Sequence, residues 1–514
     1  MRLLKVLAAV VAIAAVAVVA LRLAFPLPDI SDRPETAVVA PDPDAPLARA
    51  AAERAAREPG LSGVLPLLDG TDALVSRLEL IRLAERSIDA QYYIWQDDIS
   101  GILLLGALRE AAARGVRVRL LLDDNGVPGM DGHLAALNAL DGFEVRLFNP
   151  STVRAPKMLG YAFDFFRMNR RMHNKSFIAD GVVAVIGGRN IGDDYFQIGA
   201  EFYVDMDVLG VGAVVADTRA VFEQYWNAGS SFALETIVAG PGDMPAFEAR
   251  LAEVAGGAEV AALVPEFRGS AARLAEGAAE LEWTRVQVVA DDPVKGQGVA
   301  EREDLMITRL TDILGGVERR LDLVSAYFIP GRIGTETFAE LAAAGREVNI
   351  LTNALDTTDV LLVHAGYTKY RRDLLEAGAD LYEMKLRGGS APDAARGTGP
   401  FGLSGASLHA KTFAIDDERI FIGSFNFDPR SALLNCEMGF LIDSPTLARS
   451  LAASFEASIP AISYKPALTP DGDMVWTETI EGGDPVLYQK EPGASWLQQA
   501  MLAVIGTLPI EWML

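Results

Sequence analysis

The sequence predicts an α/β protein of two similar domains in a pseudo-two-fold arrangement, with an N-terminal transmembrane helix. Three features carry the prediction: a long internal repeat, a duplicated hairpin motif and an apolar N-terminal run. In the repeat, AERSIDAQYYIWQDDISGILLLGALREAAARGVRVRLLLDDNG (84–126) parallels VERRLDLVSAYFIPGRIGTETFAELAAAGREVNILTNALDTTD (317–359). Each reads strand, loop, amphipathic helix, glycine-containing turn, strand. That is a βαβ unit, which needs parallel strands and a right-handed crossover.

The chain opens with MRLLKVLAAVVAIAAVAVVALRLAFPLP. Its uncharged run, 6–21, extends to 3–25 if Lys5 and Arg22 snorkel, and so approaches the ~20 residues a bilayer core requires. A cleaved signal peptide is the alternative. Val18-Val19-Ala20 is a passable small-x-small site, but Leu21-Arg22-Leu23 is an unusual sequel. Residues 1–25 are therefore read as an uncleaved membrane anchor. Arg2 and Lys5 precede the run, while Arg22 and Arg33 weaken the bias. The positive-inside rule then favours a cytoplasmic N-terminus. The expected location is the bacterial inner membrane, with a single span and a periplasmic body.

Residues 26–60 read as a linker and one helix. Domain one is expected over 61–245, and an Ala/Glu/Gly-rich connection over 246–290. Domain two follows over 291–465, then a C-terminal tail over 466–514. The end of that tail, SWLQQAMLAVIGTLPIEWML, reads as a docked helix.

RMHNKSFIADGVVAVIGGRN (171–190) holds one of only four histidines in 514 residues. Side chains alternate along a strand, so His173 and Lys175 share a face. Asp180-Gly181 is a hairpin-turn dipeptide. The second strand ends in Gly187-Gly188-Arg189-Asn190, where glycine permits close backbone approach to a ligand. LHAKTFAIDDERIFIGSFNFDPRS, beginning at Leu408, repeats the pattern: His409, Lys411, Asp416 and Asn426 stand at the offsets of His173, Lys175, Asp180 and Asn190.

Metal-free displacement at an anionic centre needs a nucleophile, a proton donor for the leaving group, and donors around the charged oxygens. One His-Lys-Asn set supplies half of this, and two facing sets supply all of it. The candidate phosphate-binding residues are Lys175, Asn190, Lys411, Ser424 and Asn426. A nucleophilic histidine must be neutral, with one ring N–H held by an acceptor. Downstream of each motif stands an acid: Asp205 in DMDVLG after the first, Glu437 in EMGFLI after the second. Glu201 rivals Asp205, because its offset from His173 equals that of Glu437 from His409. Sequence context favours Asp205. Asp180 and Asp416 belong to the candidate catalytic set as members of the motif, though their position at the hairpin suggests that they fix the turn.

Lysine and arginine number 46 against 70 aspartate and glutamate, a net charge of −24. Such a surface repels nucleic-acid phosphates and has no general attraction for anionic lipid. The single Cys436 permits no internal disulfide. No Cys/His cluster or Asp-x-Asp pairing has metal-ligand spacing, so neither metal nor cofactor is expected.

Two copies of H-x-K-x-x-x-x-D, each with G-x-x-N ten residues on, resemble the phospholipase D superfamily. The longer strings FDFFRMNRRMHNKSF, VIGGRNIGDDYF, VHAGYTKYRRDLLEAGADLYEM, SGASLHAKTF and FIGSFNFDPRSALLNCEMGFLI are similar to bacterial cardiolipin synthases. Within that family they are most similar to the subgroup thought to use phosphatidylethanolamine with phosphatidylglycerol. The resemblance runs from about residue 60 to the end. It implies two phospholipase D-like domains and a phosphatidyltransferase acting on membrane phospholipids through a phosphohistidine. By the same resemblance, His173 is the nucleophile and His409 the acid and later the base. The segment VRAPKMLGYAFDFFRMNRRM (153–172) mixes basic and aromatic residues as a lipid headgroup interface would. Arg167, Arg170 and Arg171 are accordingly candidate substrate-binding residues. Pairing of those arginines with acidic neighbours is the competing reading. His364 and Tyr367 are candidates for the site mouth, with a satisfied core histidine as the alternative for His364. Three functions stay open on sequence: the synthase, a hydrolytic phospholipase D or phosphodiesterase nuclease, and a non-catalytic membrane scaffold. The acidic charge speaks against a nuclease, and two intact motifs speak against a scaffold. An accessory protein partner is left open.

Overall fold

The computed structural model describes residues 2–199, 202–263, 269–358, 360–385, 406–480 and 482–493, with Leu502 and Glu511. Eight strands of the first half form one sheet: β1 (Ser62–Leu67), β2 (Ser87–Tyr92), β3 (Arg117–Asp123), β4 (Phe143–Phe148), β5 (Ser176–Ala179), β6 (Val183–Gly187), β7 (Asp207–Gly212) and β8 (Ser231–Ala233). Eight equivalent strands follow: β9 (Val286–Ala290), β10 (Arg320–Ser325), β11 (Glu347–Asn353), β12 (Asp380–Met384), β13 (Lys411–Ile415), β14 (Arg419–Gly423), β15 (Met438–Ile442) and β16 (Ser463–Leu468). The first sheet is ordered β1-β7-β6-β5-β2-β3-β4-β8 and the second β9-β15-β14-β13-β10-β11-β12-β16. The two orders are identical strand for strand.

The βαβ units are those the repeat predicts. β2 pairs in parallel with β3 (Ala90 opposite Leu120), and β10 with β11 (Leu323 opposite Ile350). Between β2 and β3 runs a helix, Ile99–Ala113, capped by Asp98, whose side chain accepts from the Gly101 N–H. Its counterpart spans Gly331–Ala343. Gly115 and Gly345 turn the chain into the following strand at φ 91° and 79°, where a side chain would be strained.

Period-two alternation sets the layers. On β5, Phe177 and Ala179 face an outer helical layer, while Ile178 faces a core shared with the second sheet. In that shared core Ile178, Ile186 and Val208 meet Ile422, Met438 and Phe440. A third core packs the outer face of the second sheet under its own helices. The two sheets meet directly through β6 and β7 against β14 and β15, helices Ala213–Trp226 and Pro445–Glu456 pack beside that contact on the inner faces, and the remaining helices cover the outer faces.

Two expected boundaries shift. Glu282–Thr284 adds to the first sheet beside β1, and β9 belongs to the second. Residues 282–290 are therefore sheet rather than connection, and the halves divide at Arg285. After β16, strands Met474–Glu478 and Val486–Tyr488 extend the second sheet, so much of the expected tail is part of domain two. The expected terminal helix lies outside the described residues, except Leu502 and Glu511.

Helix α1 (Arg2–Ala24) has a mean hydropathy of 2.8 over its most apolar window and buries none of that window in the protein. At 1.5 Å per residue it reaches about 34 Å, enough to cross a bilayer core of about 30 Å. Full-length protein is expected to stay with membranes through a high-salt wash, and deletion of residues 1–25 to release part of it. Fractionation with N-terminal sequencing checks this; a mature chain starting near Leu21 contradicts it.

Candidate active site

His173 and His409 each lie just before a central strand, β5 and β13, and each is held by the opposite half. The His173 N–H donates to the Cys436 carbonyl at 2.8 Å, and the His409 N–H to the Val204 carbonyl at 2.9 Å. Short parallel bridges lock this geometry: Met172 opposite Cys436, and Phe202–Val204 along Ala406–Leu408. The next residue after each accepting carbonyl is an acid. Glu437 Oε2 lies 2.8 Å from His173 Nδ1, and Asp205 Oδ2 lies 2.5 Å from His409 Nδ1.

Each acid therefore orients the histidine of the other half. Downstream position had assigned each acid to its own motif; the pseudo-two-fold axis exchanges them. Asp205 is the structural equivalent of Glu437, and the rival Glu201 lies outside the described residues. At His173 only acceptors meet Nδ1, so that nitrogen carries the hydrogen and Nε2 keeps its lone pair; at His409 the Lys411 Nζ also lies 2.8 Å from Nδ1, beside the Asp205 carboxylate.

The halves differ beside these acids. Gly188 stands where the second motif has Ser424. A β-carbon at Gly188 would sit 2.0 Å from Asp205 Oδ1, so the acid's approach requires glycine. The Ser424 hydroxyl donates to Glu437 at 2.5 Å and accepts from the Met438 N–H at 3.0 Å. Ser424, a candidate phosphate donor on sequence, is thus engaged with the orienting acid. Burial alone would raise both carboxyls. Attraction to His173 and Lys175 and the Ser424 bond bring Glu437 below its ordinary value, whereas Asp205 stays above its own.

Both imidazoles are buried. Burial lowers His173 to about 4 against the pull of Glu437. It drives His409 well below its ordinary value, with Lys411 and Lys175 adding to the drop. Lys175 donates to its own histidine's carbonyl at 2.6 Å, and Lys411 does likewise at His409. Burial lowers the Lys175 ammonium to about 7, with Glu437 opposing and Lys411 reinforcing the shift. Asn190 and Asn426 tie their side-chain oxygens to the main-chain N–H groups of Ile94 and Tyr327 at 3.2 and 3.4 Å. That bond fixes each amide flip. The buried NH₂ of Asn190 lies beside the Tyr195 hydroxyl and forms no hydrogen bond of good geometry among the described residues, which leaves it able to turn to a ligand.

Sequence reasoning missed the aromatic walls. Tyr93 meets the His173 ring edge-on at 5.0 Å, and Tyr195 and Tyr203 lie 5.1 and 5.2 Å from His409. Tyr93 stands directly after β2, at the strand end that the βαβ reading places beside the motif; that was the available signal. Arg189 was also missed. It is fully buried, and donates to the Leu67, Leu68, Tyr195 and Asp205 carbonyls, fixing the chain that presents Asp205.

Other candidates fall elsewhere. Asp180 and Asp416 sit at the far end of their strands, roughly 20 Å of extended chain from the histidines. Asp180 accepts from the N–H groups of Glu85, Arg86 and Ser87, and Asp416 from those of Glu318, Arg319 and Arg320. Both adopt positive φ, 49° and 56°. They fix hairpins, so the catalytic grouping gives way to the turn reading. Asp180→Ala orphans three N–H groups, each worth about 1–3 kcal/mol where fully buried. Thermal melts are expected to show a larger loss than for Asp416→Ala, because Asp180 is fully buried and Asp416 only partly.

The arginines are spent internally. Arg171 pairs with Asp123 at 3.1 Å and donates to the Phe148 and Asn149 carbonyls. Arg167 pairs with Asp164 at 2.5 Å and donates to the Pro150 carbonyl, while Arg170 donates to the Phe166 carbonyl. The pairing reading therefore replaces the headgroup reading at Arg167 and Arg171. His364 and Tyr367 are buried in a network with Glu491, Glu383 and Arg371, not displayed at a mouth. Among the described residues no group of three or more His, Cys, Asp or Glu is arranged to hold a metal ion.

Comparison with known proteins matches this duplicated geometry. The family model described as cardiolipin synthase, PLD-like domain fits residues 78–226 and again 310–459, one copy per half. The chain belongs to the cardiolipin synthase family. It is 44% identical to cardiolipin synthase C of Escherichia coli K12 over 473 residues, covering 91% of this chain and 99% of that protein. It is 24% identical to the major cardiolipin synthase of Bacillus subtilis 168, covering 76% and 68%. The phosphatidylserine synthase structure from Haemophilus influenzae Rd KW20 shares the fold at a TM-score of 0.54 and 15% identity, covering 80% of this chain and 91% of that one.

Proposed function

We propose that this chain is a phosphatidyltransferase that forms cardiolipin, joining phosphatidylglycerol to a phosphatidyl group from phosphatidylethanolamine or a second phosphatidylglycerol. The observation that carries it is the pair of buried histidines, each with Nδ1 on a carboxylate of the opposite half. Membership of the family supplies the substrate class.

His173 Nε2 attacks the donor phosphorus. The bond from phosphorus to the headgroup oxygen breaks, and that oxygen takes a proton from His409. The phosphatidyl group is now on His173. His409, neutral again, takes the proton from a phosphatidylglycerol hydroxyl, which attacks phosphorus and releases His173. Lys175, Lys411, Asn190 and Asn426 surround the phosphoryl oxygens as charge shifts onto them. Burial keeps both imidazoles neutral at pH 7, which suits the nucleophile. The acid needs a proton, and the arriving phosphate anion raises the imidazole it faces by direct charge attraction.

Arg2 and Lys5 ahead of the span support a cytoplasmic N-terminus and a periplasmic body. Lipid mass spectrometry of a cardiolipin-null host tests the function. Expression is expected to restore cardiolipin, and isotopically labelled donors show which phospholipid is consumed. Phosphatidic acid accumulating without cardiolipin would mark a hydrolase instead.

A further inference from the structure

Helix α1 does not end free. The Arg22 Nε donates to the Phe163 carbonyl at 2.8 Å, its guanidinium lies 3.5 Å from Asp164, and the Phe25 ring stacks on Phe163 at 6.1 Å. The Thr152 hydroxyl donates to the Phe25 carbonyl at 3.0 Å. The segment thus gripped is a turn at Lys157–Gly160 running into a short helix, Tyr161–Met168. It leaves Met158, Leu159 and Phe166 exposed at 67%, 53% and 68%. The second half continues the surface. Gly298 packs on the Arg170 guanidinium, and Arg430 donates to the Asn169 side chain at 2.8 Å. Beside those contacts Val299 and Leu433 are exposed at 65% and 56%.

We infer that this face docks into the bilayer, with Met158, Leu159 and Phe166 inserted at the acyl boundary beside the end of the span. Two observations set the occupant. A membrane-crossing α1 places residues 22–25 at the bilayer surface, and its contacts with Thr152, Phe163 and Asp164 bring the segment to the same level. Two of the segment's cations are paired with acids, Lys157 with Asp124 at 3.1 Å and Arg167 with Asp164, while Arg170 donates to the Phe166 carbonyl. Docking is therefore by apolar insertion rather than by attraction to anionic headgroups, in keeping with a net charge of −24. The segment lies between β4 and His173, so insertion brings the buried histidines within reach of lipid headgroups. The inference rests in part on the proposed lipid substrate, and its primary test does not use activity.

The only cysteine, Cys436, is buried, so full-length Phe166→Cys protein accepts one polarity-sensitive fluorophore. In vesicles of phosphatidylethanolamine and phosphatidylglycerol carrying acyl-chain quenchers, that label is expected to be quenched, equally at low salt and at 1 M NaCl. A label at Glu347→Cys, exposed at the opposite strand end, is expected to stay bright. An unquenched label at position 166 in membrane-inserted protein overturns the inference, and quenching that vanishes with salt overturns the apolar mode. The variant carrying Leu159→Asp and Phe166→Asp is expected to slow vesicle-lipid turnover about tenfold or more while sparing a soluble nitrophenyl phosphodiester. Quenching without any cardiolipin formation would refute the synthase reading and leave the docking face standing.

Discussion

His173→Ala is expected to yield no trapped phosphoryl-enzyme, whereas His409→Ala accumulates it. Without the nucleophile no phosphorus–nitrogen bond can form. Without the acid the alkoxide leaves unaided, and general acid catalysis is commonly worth ~10²–10⁴-fold, so formation slows rather than vanishes. A nitrophenyl phosphodiester, whose leaving group needs little protonation, relieves that first defect. It leaves the second, because the same histidine must then deprotonate the acceptor. Acid-quenched reactions analysed for base-stable phosphohistidine, with peptide mapping, read the outcome. Label on His409 in the His173→Ala protein would reverse the assignment. Absence of label in every variant would remove the covalent route.

The carboxylates are expected to follow the histidine across the interface, not the one on their own half. Glu437→Gln keeps shape but loses the charge that fixes the His173 tautomer. In a serine-protease triad the corresponding change costs about 10⁴-fold in turnover, and a loss of about 10²–10⁴-fold is expected here. It should behave like impaired His173, with slow labelling and no accumulation. Asp205→Asn should behave like impaired His409, with label persisting after the first step. Rapid-quench kinetics on nitrophenyl substrate separates the two. If Glu437→Gln instead accumulates label, each acid serves its own half and the exchanged pairing is wrong.

Much of this was legible in the sequence, for reasons that name the rest. The βαβ units declare themselves through local periodicity and through Gly115 and Gly345, which depend only on near neighbours. The duplicated motif placed His173, Lys175, His409 and Lys411 because offsets of two along a strand dictate a shared face. Asp205 and Glu437 were identifiable, but their partners were not. Which imidazole a carboxylate meets is decided by how two sheets stack, and nothing within either half encodes it. The same limit applied at Arg171, whose partner Asp123 is 48 residues away on another strand end. Strand β9 was hidden by its composition: five residues beside a long Ala/Glu/Gly-rich helical stretch carry too little period-two signal to stand out.

The contrast between Gly188 and Ser424 has a consequence for descent. A site made by two identical chains about a true two-fold axis must carry every substitution twice. A hydroxyl gained beside one acid would appear beside the other and could not set the two histidines apart. Fusing the copies into one polypeptide lifts that constraint. One chain can hold a glutamate with a serine beside it at one histidine and an aspartate against a bare glycine at the other. That asymmetry is one that only a single polypeptide can carry.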